Sequence, residues 1–221
     1  MEYQPIKLNF KELPIKEIKK RSLEFYNIIK KRNSVRDFKK SRINDKIIKN
    51  AILAAGTSPS GANQQPWHFV IIKNKLIKKK IKVAAEKEEC NFYKNKAPKE
   101  WLNALKPLGT NSNKDFLEKA PLLIAIFEKK YAIKNNKKIK NYYVKESVGI
   151  ATGILLSSLH YSGLSMLTHT PAPMKFLNKI LKRPDYEKPF VLLVVGLPEK
   201  NCKIPFYATQ KKSISEISTW I

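Results

Sequence analysis

Apolar positions along this chain fall into two rhythms, one helical and one continuous. Ile18, Leu23, Ile28 and Ile29 recur among lysines between Ile15 and Lys31, which predicts an amphipathic helix. A second helix is predicted over Asp45–Ala55, capped by Asn44 and closed by Gly56. A lysine-rich helix follows over Leu76–Phe92, and the clearest helix of the chain runs over Tyr143–Tyr161 and stops at Gly163. Shorter apolar runs at Trp67–Ile72, Pro121–Phe127, Leu164–Thr168 and Phe190–Gly196 read as strands, the second of them buried on both faces. Gly56–Pro66 is loop chemistry, rich in Gly, Pro, Ser and Asn. Tyr93–Asn113, with Pro98, Pro107, Gly109 and several Asn, reads as an irregular stretch long enough to be a functional lid. Strands and helices alternate without a strict βαβ rhythm, so the fold class is α+β, in three layers. No repeat or low-complexity linker divides the chain, which reads as one domain.

Composition narrows the picture. With 221 residues, 43% hydrophobic and 28% charged, the chain is globular rather than disordered. Cys90 and Cys202 form neither a disulfide framework nor a zinc-ligand spacing. Residues 1–5, Met-Glu-Tyr-Gln-Pro, carry no basic and apolar leader, and no apolar run reaches membrane-spanning length. These features predict a soluble cytoplasmic protein without a membrane partner. The net charge is +26, yet five of the 44 basic residues are arginines and the other 39 are lysines scattered over the whole chain. Nucleic-acid readers concentrate arginine and aromatics on one surface. The excess therefore reads as a solvated lysine coat, with a basic, non-catalytic nucleic-acid binder as the competing class.

Two segments carry candidate chemistry. In an extended Arg32-Asn33-Ser34-Val35-Arg36, side chains alternate, so Arg32, Ser34 and Arg36 project from one side. Two guanidinium forks and a hydroxyl suit a phosphate; a plain basic surface strand is the other reading. The run Ser58-Pro59-Ser60-Gly61-Ala62-Asn63-Gln64-Gln65-Pro66-Trp67 offers small residues and turn amides to a flat ligand, or is a structural turn. Gly149 and Gly153 strip bulk from one helix face, for packing inside one subunit or for a dimer seam. His68, His160 and His169 suggest neither a metal site nor a Ser-His-Asp triad.

RNSVRDF, then a helix and SPSGANQQPW, resembles the opening of the FMN-dependent nitroreductase superfamily. ESVGIATGILLSSLHYSGL, THTP and RPDYEKPFVLLVVGLP resemble its iodotyrosine deiodinase branch, and the likeness covers about residues 20–220. It implies a nitroreductase-like three-layer fold: a central, mostly antiparallel sheet flanked by helices, with FMN at a homodimer interface. Residues 1–221 would form a single domain with a lid at about 88–115 and a C-terminal extension at about 198–221 that wraps the neighbour. The branch closes a Glu, a Tyr four later and a Lys twenty-one further on over its substrate, and Glu89, Tyr93 and Lys114 match all three positions. Such a trio suits an amino-acid zwitterion, because it supplies an anion, a neutral donor and a cation.

By the same resemblance Arg32, Asn33, Ser34, Val35 and Arg36 form the FMN phosphate and ribityl clamp, with Asn33 standing where relatives often have a basic residue. Pro59, Ser60 and Gly61 flank the isoalloxazine, and Ala62 offers its N–H to a substrate phenolate. Thr168, His169 and Thr170 lie beside the flavin, with Thr170 as the catalytic contact to N5 and His169 acting through its backbone N–H more than its ring. Lys211 replaces a cofactor-reaching arginine, keeping the charge and losing the fork. The implied activity is reductive dehalogenation of halotyrosines by successive single-electron transfers, with electrons ultimately from NAD(P)H, directly or through a reductase. A general NAD(P)H-dependent nitroreductase or quinone reductase is the alternative, and it has no use for a zwitterion clamp.

Overall fold

The computed structural model describes residues 3–221, so Met1 and Glu2, on which part of the expectation about a leader rests, lie outside the described residues. The chain divides into two compact units, one ending at Arg32 and one spanning Asn33–Ile221. In the first, α1 (Ile15–Ile29) starts after Pro14 and buries none of its residues. Glu17 accepts from Arg21 one turn on, at 2.6 Å, and this bond holds the Glu17 carboxyl below its ordinary range. Leu23, Phe25 and Tyr26 stay exposed.

The second unit contains the remaining elements. In chain order these are α2 (Asp45–Gly56), β1 (Trp67–Ile72), α3 (Lys75–Asn91), α4 (Lys99–Leu105), α5 (Phe116–Lys119), β2 (Leu122–Lys129), β3 (Tyr131–Lys134), β4 (Lys137–Lys140), α6 (Val144–Tyr161), β5 (Ser165–His169), α7 (Phe176–Ile180), β6 (Glu187–Gly196) and α8 (Ile214–Ile217). Side-chain caps set two of the helix starts: Asn44 accepts from Lys46 N–H at 2.9 Å and Asn74 from Ile77 N–H at 3.0 Å.

Four strands form an antiparallel sheet in the order β1-β2-β6-β5. Its two central strands explain the continuous apolar runs. Leu122, Ile124 and Ile126 of β2 with Leu193 and Val195 of β6 face a core completed by α2 and α6 residues such as Ala51, Ala55, Val148 and Leu155. Leu123, Ala125 and Phe127 with Leu192 and Val194 face the opposite core, built with Ile81 and Ala85 of α3, Leu117 of α5 and Leu177 of α7. A sheet covered on both faces cannot alternate apolar with polar, so it reads as unbroken hydrophobicity. This is the three-layer α+β arrangement the sequence predicts.

Besides the short helices α5, α7 and α8, which the sequence did not predict, the structure departs from the predicted elements in three places. Tyr93–Asn113 is not irregular: Phe92–Lys96 is a π-helical turn, α4 follows, and Lys106–Leu108 is a 3₁₀ turn that ends at Gly109 in the left-handed region, φ 60°. β6 starts at Glu187, three residues before the apolar run, and a register shift at Ile126/Phe127 accommodates the extra length. The β3–β4 hairpin, unforeseen in the sequence, turns on Asn135 and Asn136 at φ 49° and 59°, the positive pair that a two-residue hairpin turn requires. Among the described residues, no helix is long and apolar enough to cross a membrane.

Candidate functional site

A cavity of about 1250 Å³ lies under the segment that joins α3 to α5. It is larger than the roughly 300–1,000 Å³ of a pocket for one ligand, so it can hold a cofactor and a substrate together. Arg36, Glu89, Tyr93, Lys114, Thr168, His169 and Thr170 all line it. Seven side chains separated by up to 134 positions in sequence thus share one space.

The charged pair in the lid is built from behind. Glu89 sits in the last turn of α3, and Tyr93 in the π-helical turn that follows. Such turns occur often at functional sites, because the extra residue re-aims side chains relative to an α-helix. Lys114 enters from the other end of the lid. Its backbone N–H donates to Glu86 Oε1 at 2.8 Å, and its ammonium donates to the Asn111 carbonyl. Its Nζ stands 3.0 Å from Glu89 Oε2, with side chains 6% and 14% exposed, and 5.8 Å from the Tyr93 ring centre. Lys82 of α3 bonds Asp115, the residue beside Lys114, and this bond holds the Asp115 carboxyl below its ordinary range. Lys114 is therefore fixed at its backbone, beside it and at its tip.

An ion pair this shielded costs desolvation that its mutual attraction must offset. It leaves two opposite charges at fixed separation in a water-poor space. A ligand that presents both an ammonium and a carboxylate can take the pair apart and leave neither charge bare. A ligand with one charge or none cannot.

The lid's apolar wall was not foreseen from the sequence. Phe92, Trp101, Leu105 and Leu108 line the cavity, with Phe92 and Trp101 ring centres 5.1 Å apart, edge to face. The signal was present as four large apolar residues within a Lys/Asn-rich stretch, but proline and glycine around them suggested loop.

On the floor, the segment after Arg32 runs extended beside β5. Ser34 pairs with Met166, and Val35 N–H donates to the Met166 carbonyl at 3.2 Å. Val35 is buried in the core while Arg36 points into the cavity, as alternation requires. Burial presses the Arg36 guanidinium below its ordinary range. Thr168, His169 and Thr170 follow from the end of β5. His169 is 7% exposed, its ring packs edge to face on Phe116 at 5.5 Å, and its Nε2 is buried without a protein partner. Burial first, then the cations Lys114 and Arg36, push its pKa down to about 3.

The other sequence-predicted residues lie outside this cavity. Pro59, Ser60, Gly61 and Ala62 do not line it. Their loop packs instead against the start of α6: a Cβ on Gly61 would stand 2.9 Å from the Tyr142 carbonyl oxygen, and Gln64 bonds both Lys140 O and Tyr142 N. Ala62 and Gln65 hold φ of 48° and 49°, a conformation such residues adopt only when the surroundings impose it, while Asn63, at 52°, enters it more readily. Lys211 is exposed and donates to its own segment at Ala208 O, 2.6 Å. Arg32 closes the first unit. No metal-ligating cluster occurs among the described residues.

The cavity's chemistry fits an FMN-sized group: a half-buried guanidinium, an orphaned ring nitrogen, a second orphan in Thr110 Oγ1, and a polar strand end. Comparisons with known proteins agree. The sequence model of the nitroreductase family matches residues 29–197. An iodotyrosine deiodinase of Haliscomenobacter hydrossis is 47% identical over 190 residues, 86% of each chain. The human iodotyrosine deiodinase 1 is 43% identical, over 87% of this chain and 67% of that one. A crystal structure of oxidized iodotyrosine deiodinase bound to FMN and 3-iodo-L-tyrosine superposes at a TM-score of 0.74 with 30% identity, covering 89% of this chain and all of that one. A BluB-like flavoprotein from Clostridium difficile follows at 0.67 and 26%.

Proposed function

This chain belongs to the nitroreductase family, and from that premise we propose that it is an FMN-dependent oxidoreductase that removes halogen from halotyrosines by reduction. The observation that carries the reading is the shielded Glu89–Lys114 pair at 3.0 Å, with Tyr93 beside it, over a cavity with room for two ligands. The identity of 40–47% with curated iodotyrosine deiodinases supports the same substrate class.

Bound FMN, once reduced, supplies the two electrons that, with a proton, replace a carbon–halogen bond by carbon–hydrogen and release halide. Arg36 and the Thr168–Thr170 strand end would hold the cofactor, with Asn33, Ser34 and the backbone of Val35 toward its phosphate and ribityl chain and the Thr170 hydroxyl available to the flavin. Glu89 takes the substrate ammonium, Lys114 its carboxylate, and Tyr93 donates its hydroxyl. Phe92, Trp101, Leu105 and Leu108 exclude water, which strengthens each of these bonds. A general nitroreductase gives Glu89 and Lys114 nothing to hold.

The enzyme works as a homodimer in this reading, and the second copy completes the site. Pro59, Ser60, Gly61 and Ala62 lie outside their own chain's cavity and would reach the partner's, where Ala62 offers its N–H to the phenolate. Two observations support that assembly. A Cβ at Gly149 or Gly153 of α6 meets nothing of its own chain within 4 Å, so packing inside one subunit does not explain these glycines. The C-terminal extension leaves Phe206, Ile214, Ile217 and Trp220 more than 60% exposed, and a neighbour would cover them. Lys211 would find the cofactor in the same assembly. Electrons come from NAD(P)H, directly or through a reductase, and the compartment is cytoplasmic, where Cys90 and Cys202 remain thiols.

The test is a titration. The purified protein should be yellow, and 3-iodotyrosine should quench its flavin fluorescence at low concentration. Glu89→Gln and Lys114→Ala should each abolish the quench while leaving the flavin bound. A yellow protein blind to halotyrosines but turning over nitroaromatics with NADPH overturns the reading in favour of a general reductase.

A further inference from the structure

Of the groups that line the cavity, the imidazole of His169 is the one whose chemistry is unspent. Its residue is more than nine-tenths buried, at the end of β5. The Phe116 ring stands edge to face against it at 5.5 Å and 84°, which fixes its plane. Its Nε2 reaches no protein donor or acceptor. A buried polar atom without a partner is costly, so native structures rarely keep one unless something else supplies the bond. Leu or Phe would fill the same space without that cost.

What supplies the bond follows from the neighbours. Lys114 and Arg36 are the charged groups acting on the ring, and both are cations. Two fixed cations draw an oxygen that carries negative charge, and such an oxygen accepts a hydrogen bond and cannot donate one. They also disfavour a third positive charge on the imidazole. The ring is thus neutral and must place its single proton on one nitrogen; an accepting oxygen selects Nε2.

We propose that His169 is a ligand-binding residue through its side chain: neutral, with the proton on Nε2, it donates a hydrogen bond to an oxygen of the molecules bound in the cavity. The oxygen belongs either to the flavin, on the Arg36 side, or to the amino-acid carboxylate, on the Lys114 side. This rests on the functional reading above and adds a residue to it. Sequence reasoning weighted the His169 backbone N–H above its ring.

The experiment uses the holoenzyme and two variants, His169→Phe, which keeps the ring's shape and loses the donor, and His169→Gln, whose amide places a donor near the same point. FMN release on dilution and quenching by 3-iodotyrosine are measured for each. If the flavin supplies the oxygen, His169→Phe releases FMN at least tenfold more readily and His169→Gln stays within about threefold of wild type. If the carboxylate supplies it, His169→Phe keeps its FMN and weakens 3-iodotyrosine binding at least tenfold, again with rescue by Gln. Equal binding in His169→Phe and wild type overturns the proposal, as does a His169→Gln no better than His169→Phe. Should His169→Phe fail to fold, the nitrogen-15 spectrum of histidine-labelled wild type decides. An Nε2 that carries the proton and shifts when FMN or 3-iodotyrosine is added supports the proposal; an unprotonated Nε2 in the loaded enzyme overturns it. A yellow wild type beside an indifferent His169→Phe removes this residue's role alone, whereas a wild type that binds neither ligand removes the functional reading with it.

Discussion

The central sheet and the lid over the cavity bury opposite kinds of side chain. From Leu122 to Phe127, no residue is more than 1% exposed and all are apolar. In the lid, α4 buries nothing, and Trp101 is 55% exposed. The lid group most hidden from water is an ammonium, Lys114, at 5%. Apolar burial stabilises in proportion to area and demands no partner, so the sheet is the part that holds the chain folded. The lid gains little that way; it is kept in place by an ion pair, a backbone bond to Glu86 and the Lys82–Asp115 bond. A segment with few buried apolar contacts opens at low cost. Where entry of a substrate and exclusion of water are both needed, polar closure serves better than a second core.

The contrast breaks most visibly by deletion on the sheet side. Phe127→Ala removes a fully buried ring between two covered faces. Its expected cost is about 3–5 kcal/mol of unfolding free energy by urea denaturation, with 3-iodotyrosine affinity of the remaining folded protein unchanged. On the lid side the order reverses. Glu89→Gln leaves the shielded Lys114 without its partner, a loss that the lid relieves by opening to water. It should therefore lower the global unfolding free energy less than Phe127→Ala does while weakening 3-iodotyrosine by about 2–4 kcal/mol, read from flavin quenching. The ammonium loses its partner while Lys114 stays behind. If Glu89→Gln instead unfolds the chain and Phe127→Ala spares it, the division of labour argued above is wrong.

How much of each region was legible in the sequence follows the same line. The sheet could be read because its constraint is local: strands covered on both faces must be apolar throughout, and Pro121–Phe127 and Phe190–Gly196 say so on their own. The lid could not. Glu89 and Lys114 are twenty-five positions apart in a chain with lysines everywhere, and no spacing rule joins them. Resemblance to a family supplied that pairing. The π-helical turn under Tyr93 leaves no pattern in FYKNK, and α4 was hidden by the prolines on either side of it. The β3–β4 hairpin was legible in principle, through Asn135-Asn136, but lysines at half of its other positions masked strand propensity. His169 shows a further limit. A histidine in a strand is ambiguous until burial, the Phe116 ring and two cations define its surroundings.

Acid sharpens the comparison at a finer scale, because the cavity floor holds titratable groups and the sheet's apolar run holds none. His169 has its pKa pushed down to about 3, against 6.5 for an open imidazole. Between those values the unfolded chain takes up a proton that the folded one refuses, so stability falls as pH drops through this window and is fully present above about 6.5. One such group contributes a slope of at most about 1.4 kcal/mol per pH unit. Burial lowers His68 as well, in the same direction, while Glu17, Asp45 and Asp115, all lowered by hydrogen bonds, add theirs nearer pH 4. Urea midpoints measured from pH 7 to 5 should therefore fall for wild type and fall less for His169→Phe. Parallel lines for the two proteins would mean that His169 titrates freely.

The smallest effect concerns a third kind of surface, neither core nor lid. Gly153 is exposed on α6, and an added methyl would meet nothing of its own chain within 4 Å. In an isolated chain, Gly153→Ala should stabilise by up to about 1 kcal/mol, since glycine is the poorer helix former. In the dimer proposed here the missing side chain has a use: it lets two helices approach closely, and a methyl forced between them holds them apart. The sign therefore decides. Gly153→Ala is expected to raise the dimer dissociation constant several-fold in sedimentation, offsetting the helix gain, and to lower flavin retention with it, because the loop at Pro59–Ala62 would lose its place over the partner's cofactor. A variant that gains stability and sediments as wild type would move the seam off this face of α6.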